Sequence, residues 1–302
     1  MNIHILEMPL DFGASRHGSD MGPSAVRLAG LKGRLEGLGH KIKKYFSPIH
    51  INPQEYEPIE NPRAKYLSPI VSANEQLAEE VERAVSSGDF PLIIGGDHSI
   101  ALGSIAGLAA AYRKTDTKFG VLYVDAHGDF NTAETSPSGN IHGECLSASC
   151  GYGLPELTNL YFAGRKLDPH NICYVGLRDL DAGEKKLMRE AGVTAFTMTD
   201  IDRQGFNEVV RQVLSFFRRN VQAVHVSFDM DSLDPMYAPG TGYQLPAGMT
   251  NREALLLMEE MCDSGMVRSA EIVEVNPVLD VRNRTASFAV DLVARLLGEK
   301  IF

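Results

Sequence analysis

The chain has 302 residues, enough for a sizeable core, and no apolar run of membrane-spanning length. With 44% hydrophobic and 23% charged residues it has the composition of a globular protein, not of a disordered or low-complexity one. A net charge of −10, from 39 acidic and 29 basic residues, argues against nucleic acid as a partner and is compatible with a cationic substrate.

Met1 to Glu7 reads as a first strand, without the basic segment or long apolar core of a secretory leader. A polar loop runs from Asp11 to Gly22, and Pro23 then opens a helix to about Leu38. His40 to Phe46 is a second strand, and the proline-bearing stretch from Ser47 to Asn61 is a loop. Ile70 to Val85 carries helical periodicity. Strand Leu92–Ile94, helix Ile100–Tyr112 and strand Gly120–Val124 follow. Asp125 to His142 is long, polar and rich in Gly, Ser and Pro, the kind of connection that usually carries function. Beyond it come strand Ile172–Val175, a helix from about Ala182, strand Val193–Thr197 and helix Asn207–Arg219. Strand Val221–Val226, helix Arg252–Asp263, strand Ser269–Val273 and helix Thr285–Leu297 complete the alternation. With no linker and no internal repeat, this predicts one α/β domain over residues 1–302, a parallel sheet with helices on both faces. Cys145, Cys150, Cys173 and Cys262 lack Cys-x-x-Cys spacing and read as reduced thiols of a cytoplasmic enzyme.

Three polar clusters each follow an apolar strand: Gly95-Gly96-Asp97-His98-Ser99, Asp125-Ala126-His127-Gly128-Asp129, and Ser227-Phe228-Asp229-Met230-Asp231-Ser232-Leu233-Asp234-Pro235. They fall at the C-terminal ends of strands, the ligand-binding edge of an open α/β sheet. His98, Asp125, His127, Asp129, Asp229 and Asp231 make a donor set of imidazole and carboxylate without thiolate. That chemistry favours hard or borderline divalent ions over structural zinc. Six donors exceed what one catalytic ion needs and suit two ions, whose charge four carboxylates would balance. Alternation in an extended chain would put Asp125, His127 and Asp129 on one face, and likewise Asp229 and Asp231. Taken singly, an Asp-x-His is usually a turn and an Asp-x-Asp a helix cap; the three together make the metal reading.

These segments resemble the ureohydrolases, the family of arginases and agmatinases, and the likeness extends from about Met8 to Lys300. Asp11-Phe12-Gly13-Ala14, Met21-Gly22-Pro23-Ser24-Ala25 and the stretch from Ser136 to Gly143 are most similar to the arginases of bacteria. The resemblance implies two manganese ions per chain. His98 and Asp129 would serve one, His127 and Asp231 the other, with Asp125 and Asp229 shared. It implies catalytic roles for Asp129, for His142 as a proton shuttle and for Glu274 as the carboxylate orienting a guanidinium. Asn131, Ser136 and Ser138 would meet a substrate α-carboxylate, and Asp181 and Glu184 its α-amino group. Asp181 and Glu184 also suit the start of the helix that follows them. The implied reaction is hydrolysis of L-arginine to L-ornithine and urea, by a homo-oligomer, trimer or hexamer, acting on a small guanidino substrate.

Two segments depart from that pattern. Tyr243-Gln244-Leu245-Pro246 follows Gly240-Thr241-Gly242 where such enzymes usually continue with Thr-Pro, and Glu144-Cys145 stands where Met-Pro or Gln-Pro is commoner. Competing readings are a ureohydrolase for agmatine or guanidinobutyrate, a single-metal deacylase, and a non-catalytic assembly subunit.

Overall fold

The computed structural model describes residues 1–45, 59 and 61–302, so Phe46 and nearly all of the Ser47–Asn61 loop lie outside the described residues. Eight strands are present: β1 Asn2–Met8, β2 Lys41–Tyr45, β3 Phe90–Gly95, β4 Phe119–Val124, β5 Ile172–Leu177, β6 Thr194–Thr197, β7 Ala223–Asp229 and β8 Val267–Val273. They form one sheet in the order β2-β1-β3-β8-β7-β4-β5-β6, and every described pairing is parallel. The parallel α/β expectation therefore holds. Strands β3, β4, β5 and β7 are buried along their whole length, which is why the first three read as apolar runs, while β7 also buries the polar His225 and Ser227.

Eleven α-helices occur among the described residues. They are α1 Gly22–Leu28, α2 Leu31–Gly37, α3 Leu67–Ser86, α4 Ala101–Arg113, α5 Cys145–Ser149, α6 Pro155–Thr158, α7 Ala182–Ala191, α8 Met198–Gln204, α9 Phe206–Asn220, α10 Asn251–Asp263 and α11 Arg284–Leu296. Side chains alternating along the strands separate two cores. Leu92, Ile94, Leu122, Val124, Val226 and Phe228 pack with Leu35, Val213, Phe217, Leu257 and Leu292. Ile93, Val121, Tyr123 and Tyr174 pack with Leu77, Val81, Ile105 and Leu146 on the other face.

Two local expectations are corrected. The helix read from Pro23 to Leu38 is two helices, because Gly30 takes a left-handed φ of 92° between them. The short helices α5, α6 and α8 were not foreseen, since one or two turns carry too little periodicity to read.

The order also explains where a site can form. The chain crosses from β3 to β4 over a gap that β8 and β7 later fill. The C-terminal ends of β3, β8, β7 and β4 therefore meet in one central crevice, the position expected for ligands in an open sheet.

Candidate active site

Each of those four strand ends delivers one group. Gly96, just past β3, packs so tightly that a Cβ would lie 1.9 Å from the Leu10 carbonyl oxygen; only glycine lets this turn carry Asp97 and His98 inward. Asp97 is structural: its Oδ2 accepts from Gly13 N at 2.8 Å and its Oδ1 from Ser99 N at 2.8 Å. His98 Nδ1 then lies 3.0 Å from Asp125 Oδ2, 3.2 Å from Asp129 Oδ2 and 3.1 Å from Asp229 Oδ2. On the other side, His127 Nδ1 is 3.1 Å from Asp231 Oδ2 and 3.4 Å from Asp125 Oδ1. Two sets of donors thus converge, His98–Asp125–Asp229 and Asp125–His127–Asp231, sharing Asp125.

The six residues meet as expected, but not by the alternation of an extended chain. Asp129 has a left-handed φ of 48°, and Met230–Ser232 is a turn of 3-10 helix. In both segments an aspartate folds the chain over itself. Asp125 Oδ1 accepts from His127 N at 2.7 Å, and Asp229 Oδ1 accepts from Asp231 N at 2.7 Å. Such Asx turns leave the second carboxylate oxygen aimed at the centre.

The donor set suits divalent cations. Asp125 Oδ2 is buried and makes no hydrogen bond. Burial, then Asp231 and Asp125, push the Asp229 carboxyl well above its ordinary range, and burial, then Asp129 and Asp231, raise that of Asp125. Mutual repulsion of that kind is relieved by cations held between the groups. Burial opposes charge on His98, yet the carboxylates of Asp125, Asp129 and Asp229 hold its pKa well above the usual imidazole value. His98 Nε2 lies 2.7 Å from Ser227 Oγ, a partner that would take its proton were Nδ1 committed to an ion.

Glu274 follows β8 with a strained φ of 61°, its amide donating to Gly96 O at 2.8 Å. Its Oε1 accepts from His98 N at 3.1 Å and faces His142 Nδ1 at 3.3 Å. Burial disfavours charge on His142, but Glu274 outweighs it and raises the imidazole to about 9. His142 and Glu274 line a cavity of about 210 Å³ together with His127, Asp129, Asn131, Ser136, Ser138, Asp181, Glu184, Asp229, Asp231 and Tyr243.

At the outer end of this cavity the polar groups bond to one another. Asn131 Nδ2 donates to Asp181 Oδ2 at 2.9 Å, and Ser136 Oγ accepts from Gly139 N at 3.0 Å. Ser138 is exposed, its Oγ accepting from Asn140 N at 3.2 Å. Glu184 is buried and holds backbone with both oxygens, Phe130 N at 3.0 Å and Asp181 N at 3.1 Å. It braces the loop after Asp129 and the start of α7.

A family model described as the arginase family matches residues 1–298. An arginase of Bacillus caldovelox is 46% identical over 300 residues, covering 99% of each chain. The solved structure of arginase from that organism superposes with a TM-score of 0.95 at 45% identity, covering 100% of this chain and 99% of that one. An Entamoeba histolytica arginase in complex with L-ornithine gives a TM-score of 0.89 at 31% identity, covering 99% of both. The chain belongs to the arginase family.

Three residues of this arginase-family site lie outside the donor and cavity residues read from the sequence. Tyr123, on β4, donates its hydroxyl to Asp129 Oδ2 at 2.7 Å and stacks on His98 with ring centroids 4.5 Å apart. Its only hint is a polar group inside an apolar run. Arg178 donates to the carbonyls of Asp231 at 2.7 Å, Ser232 at 3.1 Å and Leu245 at 2.8 Å, fixing two site loops at once. Cys145 is buried 3.4 Å from the Tyr123 hydroxyl, and burial pushes its thiol well up, so it is a packing group rather than a nucleophile.

The Glu144 departure has a measurable cost. Glu144 is 1% exposed, and neither carboxylate oxygen has a hydrogen-bond partner. Burial raises its carboxyl from 4.5 to about 7. A folded pKa raised in this way leaves stability intact below about 4.5 and removes it as pH rises through about 7. Glu144→Gln should therefore be more stable than wild type at pH 8, on the order of 2 kcal/mol, and indistinguishable at pH 4. Denaturant melts at both pH values check this; equal stability at pH 8 contradicts it.

Proposed function

We propose that this chain hydrolyses L-arginine to L-ornithine and urea at a centre of two manganese ions, held by His98, Asp125, His127, Asp129, Asp229 and Asp231. The observation that carries this reading is the two converging His/Asp donor sets sharing Asp125 beside a cavity walled by Glu274 and His142. A donor set rich in carboxylate and without thiolate is compatible with manganese, the ion that the family resemblance implies. When bound, two such cations would lower the pKa of water at the site and make hydroxide available near neutral pH.

The chain's own residues do the rest. Glu274 holds the guanidinium in register with its carbon facing the donor cluster, a positioning effect. Hydrolysis adds OH to that carbon and H to the amine nitrogen as the C–N bond breaks; the hydroxyl proton leaves as the C=O of urea forms, and the amine departs as ammonium. His142, whose pKa Glu274 raises, is the acid that delivers the amine's proton. Asn131, Ser136 and Ser138 receive the α-carboxylate, and Asp181 and Glu184 lie on the α-amino side, with water between. L-Ornithine in the Entamoeba relative supports an amino-acid end in this cavity. Residues 1–302 act as one ureohydrolase domain. No described helix is long and apolar enough to cross a membrane, and all four cysteines are free, which supports a cytoplasmic enzyme. We extend to it the homo-oligomeric state, trimer or hexamer, that the family resemblance implies.

The test is urea release from arginine, agmatine and guanidinobutyrate after manganese loading, with elemental analysis. Arginine should be preferred and two ions bound; preference for agmatine or guanidinobutyrate would favour the alternative ureohydrolase reading. Protons compete with the ions for His98 and His127, whose raised pKa values favour the charged imidazolium. Activity should fall on acidification, and an optimum clearly below neutrality would contradict the hydroxide reading.

A further inference from the structure

Tyr243 stands at the mouth of the cavity, 40% exposed, on a segment fixed from both sides. Its ring centroid lies 5.7 Å from that of His127 and 5.8 Å from that of His142, so it spans the gap between the two imidazoles. Arg16 Nη1 donates to Gly242 O at 2.9 Å, Thr241 Oγ1 to Tyr243 O at 3.1 Å, and Arg178 Nη2 to Leu245 O at 2.8 Å. Gln244 donates to Pro239 O, and Ala247 N to Asp234 Oδ2 at 2.8 Å. The ring is therefore a set wall rather than a swinging lid.

Its place relative to Glu274 decides what it faces. Oε1 of Glu274 is already occupied by His98 N and His142. That leaves Oε2 for a guanidinium. Oε2 is also the atom against Gly242, 3.4 Å from where a Cβ would stand. A cation held on Oε2 thus sits beside residue 242, under the rim that Tyr243 forms.

We infer that Tyr243 is the specificity-determining residue of this pocket. Its ring face binds the flat, unsubstituted guanidinium and leaves no room for a substituent on the terminal nitrogens. This rests on the arginine reading above. A guanidinium over an aromatic face is attracted by the ring quadrupole. The contact is made to the bound planar cation, which loses its planarity and delocalised charge as the carbon is attacked, so losing it should raise KM more than it lowers kcat.

The experiment compares manganese-loaded wild type with Tyr243→Phe and Tyr243→Thr, measuring arginine kinetics and competitive inhibition by Nω-methylarginine. Tyr243→Phe, which keeps the ring, should keep the wild-type ratio of the Nω-methylarginine Ki to the arginine KM. Tyr243→Thr should raise the arginine KM roughly tenfold with kcat within about twofold. It should also lower the ratio of the Nω-methylarginine Ki to the arginine KM by about tenfold or more, as space opens. An unchanged KM and ratio in Tyr243→Thr overturns the inference. So does a Phe variant that behaves like Thr, which would make the hydroxyl the determinant. So does loss of manganese from the Thr variant, which would mean the ring acts through His127. Wild type that releases no urea from arginine refutes the arginine reading instead; the same comparison then runs on the guanidino compound it does hydrolyse, with its N-methyl derivative.

Discussion

Asp125→Ala should empty both metal positions and abolish urea release, while His98→Ala should weaken one position more than the other. Asp125 is the residue common to both donor sets, and its Oδ1 also fixes His127 N at 2.7 Å. Asp229→Ala should act in the same direction, because Asp229 lies 3.1 Å from His98 Nδ1 and also holds Asp231 N at 2.7 Å. Losing an outer-shell partner already costs about 10- to 100-fold in metal affinity, so loss of a shared ligand should exceed roughly 100-fold. Elemental analysis and the thermal shift on manganese addition measure this. The metal-free protein supplies a control. Burial and neighbouring carboxylates raise the Asp125 carboxyl, so its charge is unfavourable without cations. Metal-free Asp125→Ala should therefore melt no lower than metal-free wild type at neutral pH, whereas a purely structural aspartate would lower it. One ion retained at wild-type affinity in Asp125→Ala would refute the shared-ligand assignment.

Glu274→Ala should cripple arginine and agmatine alike, and Ser138→Ala should harm arginine selectively. The two substrates share the guanidinium and differ in the α-carboxylate. Glu274 is 4% exposed, at the inner end of the cavity beside His142, whereas Ser138 lies exposed at its outer end. A hydrogen bond to a charged group is worth about 1.5–3 kcal/mol, so Ser138→Ala should lower kcat/KM for arginine roughly ten- to a hundredfold and leave agmatine nearly unchanged. Glu274→Ala also releases His142 from the partner that raises it to about 9. The alkaline limb of the pH–rate profile should then move to lower pH as the imidazole loses its proton earlier. Intact arginine kinetics in Ser138→Ala would remove the carboxylate assignment.

The sequence by itself determined the alternation of strands and helices, the parallel sheet and the six metal-ligand candidates. Buried parallel strands are mostly apolar, so His98, Asp125 and Asp229 stand out at or just past their C-terminal ends. Tertiary structure alone decided who neighbours whom. That β7 and β8 enter between β3 and β4 is a choice among sheet orders that local pattern does not encode, and it is what brings Glu274 against His98 and His142. The turns at Asp129 and at Met230–Ser232 replace the extended alternation because side-chain carboxylates capture backbone amides two residues on. Ser227 and Arg178 acquire their roles only from groups far away in the chain, Ser227 from His98 and Arg178 from Asp231, while Tyr123 serves the nearby Asp129. Periodicity records which face a side chain takes; which partner it finds there is set by the packing of the whole sheet.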